Sequence, residues 1–274
     1  HRDLHSFPTR RSSDLALAAL LILVNAGVSL AFRLGLERTL LIVSLRMVAQ
    51  LALIGLVLKW IFAQTSPVWT LALAAAMIAM AGYEVMSRQE RRIAGFGSWG
   101  LGTSTLLFIG LIGTAFAIGA VIRPEPLLAP RYVLPILGMV LGNAMTGVSL
   151  ALDTLTQTAH RERASIEARL ALGAPRFESL SEVTRRALKT GMMPIINAMA
   201  ASGIVSLPGM MTGQILAGVD PVDATKYQIL IMFLLAGTTA LGVVLAVMGG
   251  VLLITDERHR LRLDRLAPGR AAGR

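Results

Sequence analysis

Seven stretches of the chain carry almost no charge: 15–32, 39–63, 67–83, 100–122, 132–152, 190–219 and 227–255. A helix needs roughly 20 apolar residues, within a range of about 17–25, to cross a bilayer, and each stretch reaches that length. Buried helices of a soluble protein rarely run past ~20 residues without a polar face. Only 15% of the 274 residues are charged, against about 25% in soluble domains. The sequence therefore predicts an all-α, polytopic membrane protein of about seven transmembrane helices.

The basic residues set an orientation. If 33–38, 84–99, 153–189 and 256–274 are cytoplasmic, that side holds 18 of the 26 Lys and Arg; the other side holds 6, and Arg46 and Lys59 fall within a span. This asymmetry predicts an N-terminus outside and a C-terminus on the cytoplasmic side of the membrane. The net charge of +10 then marks one face of a membrane and does not point to nucleic acid, since no aromatic platform accompanies it. Residues 1–15, HRDLHSFPTRRSSDL, look like translated adapter sequence and are expected to be foreign. The permease region is then 16–255, followed by a basic tail at 256–274, suited either to anionic lipid headgroups or to a disordered, solubilising role.

The connection 153–189 mixes Arg161, Arg163, Arg169, Arg176, Arg185, Arg186 and Lys189 with Asp153, Glu162, Glu167, Glu178 and Glu182. Alternating signs at helical spacing predict short amphipathic helices. Ile166, Leu170 and Leu172 are expected on one apolar face, with Gly173 ending the first helix and Pro175 opening the next. Spacing alone leaves two readings open, a projecting helix-turn-helix or a plain connector.

Within it, IEARLALGAPRFESLSEV (166–183) resembles the EAA loop of ABC-transporter permeases. Glu167, Ala168, Gly173 and Val183 occupy that motif's positions, while Arg185 and Arg186 stand where the motif has Leu-Pro. On either side, MVLGNAMTGVSLALD (139–153), SLPGMMTGQILAGVDP (206–221) and KYQILIMFLL (226–235) resemble the FetB-like iron-export permeases and their plant relatives linked to aluminium tolerance. The resemblance implies a membrane subunit that exports iron or another substrate, with Glu167, Ala168, Leu172, Gly173 and Ala174 in a coupling helix against a separate ATP-binding subunit. It also implies a permease homodimer in a bacterial inner membrane. The chain has no G-x-x-x-x-G-K-[ST] run and no Gly-Lys pair, so no phosphate-cradling loop of that type. ATP is expected on the partner subunit, with no cofactor and no catalysis in this chain.

Inside the spans the chemistry is sparse. The chain has no Cys, and its four His (His1, His5, His160, His259) lie outside the apolar stretches. Candidate pathway residues are Arg46, Gln50, Asn143, Asn197, Ser206, Met210, Met211 and Gln214. Pro208 and Gly209 are expected to break the sixth stretch, because proline removes a helical hydrogen bond and clashes with the preceding turn; broken spans are tolerated where they line a cavity. The Met210–Met211 pair suits either soft-metal contact or flexible packing. Arg46 suits either the pathway, with Glu84 as a candidate ion-pair partner, or snorkelling to the membrane edge. Small residues four apart (Gly138/Gly142/Thr146, Ala198/Ser202/Ser206, Gly209/Gly213, Gly242/Ala246/Gly250) are expected to let helices approach closely. Two rival functions stay open. An ion-driven transporter would need titratable groups in the membrane, where only Glu84 and Asp153 come near. A membrane-embedded enzyme would need a reactive constellation that the spans lack.

Overall fold

A computed structural model describes residues 12–267 apart from 65, 96, 124 and 127. Among the described residues the structure is helical, with isolated β-bridges and no strand. It forms two compact units, divided between residues 65 and 66. Residues 1–11, and with them most of the segment expected to be foreign, lie outside the described part.

The first unit is an antiparallel pair, α1 (Ser12–Ala31) and α2 (Glu37–Phe62). Its turn is tied by one serine: Ser29 Oγ donates to Glu37 Oε2 at 2.8 Å and accepts from Leu36 N at 2.9 Å. Leu45, Leu53 and Leu56 of α2 are exposed, as suits a helix in hydrocarbon.

The second unit holds α3 (Pro67–Ser87), α4 (Gly97–Phe116), α5 (Pro130–Arg161), α6 (Arg163–Ala171), α7 (Arg176–Ser179), α8 (Ser181–Ala201), α9 (Gly209–Leu216) and α10 (Pro221–Ile254). Proline at the first position opens α3, α5 and α10, where its missing N–H costs nothing. Asp220 caps α10 by accepting from Val222 N and Asp223 N. A π-helical turn, Ala117–Ile122, lengthens α4. Five helices (α2, α3, α4 with its π turn, α5 and α10) are long and apolar enough to cross a membrane. The sixth apolar stretch is not a single helix.

The core lies where α5, α8, α10 and α4 meet, around Leu106, Val148, Leu152, Leu155, Val183, Val247 and Val251. Two glycines bring α5 and α8 together. A Cβ at Gly191 would stand 2.8 Å from the Gly147 carbonyl oxygen and 2.7 Å from Ala151 Cβ, so the two backbones touch directly. Of the four small-residue series, the one on α10 is a packed seam: Gly242 abuts Ile109 and Gly250 abuts Leu155. Nothing stands within 4 Å of an added Cβ at Gly142, Gly209 or Gly213.

The polar stretch 153–189 is mostly helix and only partly connection. α5 runs on to Arg161 and α8 begins at Ser181. Charge does not stop a helix that has left hydrocarbon, and α5, at about 48 Å for its length, outreaches an apolar layer of ~30 Å. Asp153 ties this end to the α3–α4 connection, accepting from Glu90 N at 2.8 Å and from Gln157 Nε2 at 2.7 Å. That connection holds a buried, satisfied trio: Ser98 Oγ donates to Gln89 Oε1, Gln89 Nε2 donates to the Val85 carbonyl, and Ile93 N donates to Ser98 Oγ.

The basic tail is not disordered over its described part, 256–267, because it pairs with the α3–α4 connection. After α10 the chain turns through Asp256–Arg260 and returns to pair Ile93 with Leu266. Ala94 N donates to the Arg265 carbonyl at 2.6 Å, and Ala267 N to the Arg92 carbonyl at 2.8 Å. Ion pairs Arg260–Asp256 and Arg262–Asp264, each at 2.8 Å, brace the turn.

Candidate functional site

At one end of the second unit, α6 and α7 form a projecting helix-turn-helix. Arg163 Nε donates to Glu167 Oε1 at 2.8 Å, one turn apart on α6. Ile166 is buried and Leu170 packs against the core, so this face fixes α6 to the bundle. Gly173 takes φ +91°, a left-handed cap that ordinary side chains resist. Ala174 N then reaches the Arg169 carbonyl at 3.1 Å. Pro175 is extended and opens α7, as expected. Glu162, at the start of α6, pairs with Arg186 of α8 at 2.8 Å and braces the base of the projection. His259 Nδ1 accepts from Arg176 N at 3.3 Å, joining the tail to α7.

One expectation needs correction here. Leu172 does not share the face of Ile166 and Leu170. It is 88% exposed, because Ile166 and Leu170 stand four residues apart while Leu172 lies about 200° further round from Leu170 and belongs to the cap. Glu167 and Ala168 are exposed beside it, and Ala174 is half-buried. The tip of the projection is thus apolar and uncovered, on a rigid base.

Toward the opposite end, α8 stops at Ala201. Ser202 to Pro208 form an irregular turn with Gly203 at φ +90°, closed by Gly203 N donating to the Ser206 carbonyl. The predicted break is present, and Pro208 and Gly209 mark the restart of the helix rather than its stop. Between the end of α8, this turn, α9 and α10 lies a cavity of about 550 Å³. Thr225, Gln228, Ile229, Met232 and Phe233 line it from α10, on the single face given by i, i+3, i+4, i+7 and i+8. Met199 and Ser202 come from α8 and its end, Leu207 and Pro208 from the turn, and Met211 from α9. Ile229 to Phe233 sit two to three turns into α10, so the cavity is level with apolar helix.

Of the pathway candidates, only Met211 lines this cavity. Met210 packs into the adjoining core around Ile195, Ile231 and Leu235. Gln214, one turn beyond Met211, has a buried Oε1 with no hydrogen-bond partner. Ser206 is exposed and donates to the Ala201 carbonyl; Asn197 is exposed on α8. Asn143 donates to the Met139 carbonyl within α5. Arg46 and Gln50 are exposed on α2, in the other unit. Glu84 lies 3.7 Å from Arg88, one turn on. Met199, Thr225 and Met232 were not anticipated as a group. For Thr225 and Met232 the signal is their shared face on α10, a matter of register that charge and polarity do not show, while Met199 comes from the end of α8. No group of three His, Cys, Asp or Glu suited to a metal occurs among the described residues.

Comparison with known proteins places these features. The family model described as "Uncharacterised protein family (UPF0014)" matches residues 12–252. The chain is 35% identical over 228 residues to the UPF0014 membrane protein YjkA of Bacillus subtilis (strain 168), covering 83% of this chain and 89% of the relative. It is 32% identical over 257 residues to the Probable iron export permease protein FetB of Escherichia coli (strain K12), covering 93% and 96%. It is 34% identical over 227 residues to Protein ALUMINUM SENSITIVE 3 of Arabidopsis thaliana, covering 80% and 79%. No solved structure matches.

Proposed function

The chain belongs to the UPF0014 family of membrane proteins, and from that premise we propose that it is the permease subunit of an ABC exporter. It moves iron or another metal or small substrate out of the cytoplasm and is driven by a separate ATP-binding subunit. The observation that carries this reading is the α6–α7 projection: a short helix-turn-helix fixed by Ile166 and the Glu162–Arg186 bridge, with Leu172 bare at its tip. An exposed apolar residue on a braced projection is an anchor for a partner's pocket. A relative named as a probable iron export permease supports the direction and the metal.

In this reading Glu167, Ala168, Leu172, Gly173 and Ala174 form the docking tip. ATP stays on the partner, two copies of the chain pair, and the α6–α7 end faces the cytoplasm, where the positive-inside rule puts most Lys and Arg. Closure of the ATP-binding subunits would move α6–α7 and, through the Gly147–Gly191 contact, α8 and its broken extension. Met211, Pro208 and Gly209 then lie beside the route.

The geometry lends the ion-driven alternative no support: Asp153 holds Glu90 N and Gln157, and Glu84 stands beside Arg88. Reconstitution in liposomes with the ATP-binding subunit tests the proposal. Fe(II) is expected to stimulate ATP hydrolysis and to leave the side bearing ATP. Transport by the chain alone on a proton gradient would overturn it.

A further inference from the structure

We propose that the cavity between the end of α8, α9 and the first turns of α10 binds a soft, singly charged metal ion of the Cu(I) or Ag(I) type. Its ligands are the thioethers of Met199, Met211 and Met232 and the amide oxygen of Gln228. Three separate elements each bring one methionine to the wall. The unbranched methionine side chain lets the sulfurs converge on one ion.

The other wall groups are of matching character. Ser202 Oγ donates its proton to the Ala198 carbonyl at 2.7 Å, and Thr225 Oγ1 to the Pro221 carbonyl at 2.8 Å. What these hydroxyls turn outward is lone pairs. Gln228 is 8% exposed, and its Oε1 is buried with no hydrogen-bond partner. A buried acceptor without a donor is costly, and turning the amide so that Oε1 meets a cation in the cavity would satisfy it. Met211 Sδ lies 3.9 Å from Thr225 Oγ1, whose single proton goes to Pro221.

The wall therefore offers electron pairs, while no Lys, Arg, Asp, Glu or His lines it. This selects the ligand twice. Thioether sulfur favours soft ions of the Cu(I) type over hard oxygen-seeking ones. The cost of removing an ion from water grows with the square of its charge, and a wall without carboxylates offsets little of it. A singly charged soft ion fits; a doubly or triply charged hard ion does not. The site stands apart from the transport reading, since a chain could bind the ion and export nothing.

The chain has no Cys, so thiolates cannot compete for silver. Purified full-length chain in detergent, labelled with 13C-methyl methionine, would be titrated with silver nitrate in chloride-free buffer. One ion per chain is expected by calorimetry, with shifts in three of the 13 methionine methyls, assigned by single Met→Leu variants. Replacing Met199, Met211 and Met232 together by Leu, which keeps apolar volume, should weaken binding at least about tenfold, whereas Met145→Leu should not. Excess Fe(II) or Mg(II) should leave the silver-shifted methyls in place. Absence of saturable binding, unchanged affinity in the triple variant, or shifts confined to other methionines would overturn the proposal. The methyl spectrum of the unsubstituted chain reads the site even if the triple variant misfolds.

Discussion

At the scale of single residues, the space around a glycine decides what a substitution costs. Gly191 and Gly213 are both helical, yet they predict opposite outcomes. Gly191→Ala drives a methyl against the Gly147 carbonyl and Ala151. Overpacking of this kind costs about 1–3 kcal/mol, so thermal unfolding in detergent should shift down by several degrees. Gly213→Ala meets nothing within 4 Å and should be neutral or stabilising by up to about 1 kcal/mol, from helix propensity alone. If both variants unfold like the parent, the α5–α8 contact is looser than described. The sequence hinted at close packing through small residues four apart in one helix. The α5–α8 backbone contact instead joins one glycine from each of two helices, a pairing that spacing within a helix cannot reveal.

Elements were legible where hydropathy governs them and illegible where polar contacts do. The apolar stretches became helix, the sixth broken between Ala201 and Gly209, and Gly173 with Pro175 shaped the α6–α7 turn as read from sequence. The extension of α5 to Arg161 and of α8 back to Ser181 is invisible to hydropathy, because a helix continues past the lipid boundary that charge marks. The tail is hidden for another reason. Its fold rests on local carboxylates that composition counts only as charge. Backbone donation from Arg260 is the main cause holding the Asp256 carboxyl below its ordinary value, and the Arg262 side chain does the same for Asp264. Both groups favour the folded turn when ionised. Their contribution is complete above the ordinary aspartate value of about 3.9 and is lost as pH falls through the lowered folded values. A nitroxide on Glu257→Cys, clean because the chain has no Cys, should stay immobilised from about pH 5 down to ~4 and loosen below that. Asp256→Asn should loosen it at neutral pH. A lineshape indifferent to both changes would mean that the turn is held by its backbone pairing with residues 92–94 alone.

At the scale of the whole molecule, the family match spans both compact units, from residue 12 to 252, and the coupling proposal makes one projection answerable for the behaviour of the assembly. Docking and folding can be separated there, because two adjacent residues do different things. Leu172 is 88% exposed and takes part in the cap through its backbone N–H alone, so a change of its side chain should stay within the roughly 0.5 kcal/mol usual for exposed substitutions. Leu172→Glu should therefore leave thermal stability unchanged while abolishing co-purification of the ATP-binding subunit and ATP-driven export, since it puts a charge where a partner's apolar pocket is expected. Gly173→Val forces a β-branched side chain into φ +91°, which costs roughly 1–3 kcal/mol of backbone strain or reshapes the cap. It should lose both partner binding and stability. The pattern of the pair carries the test. If Leu172→Glu retains the partner while Gly173→Val loses it, the projection matters only as a strut of the bundle and the partner docks elsewhere. If Leu172→Glu alone releases the partner at full stability, the bare leucine is the contact.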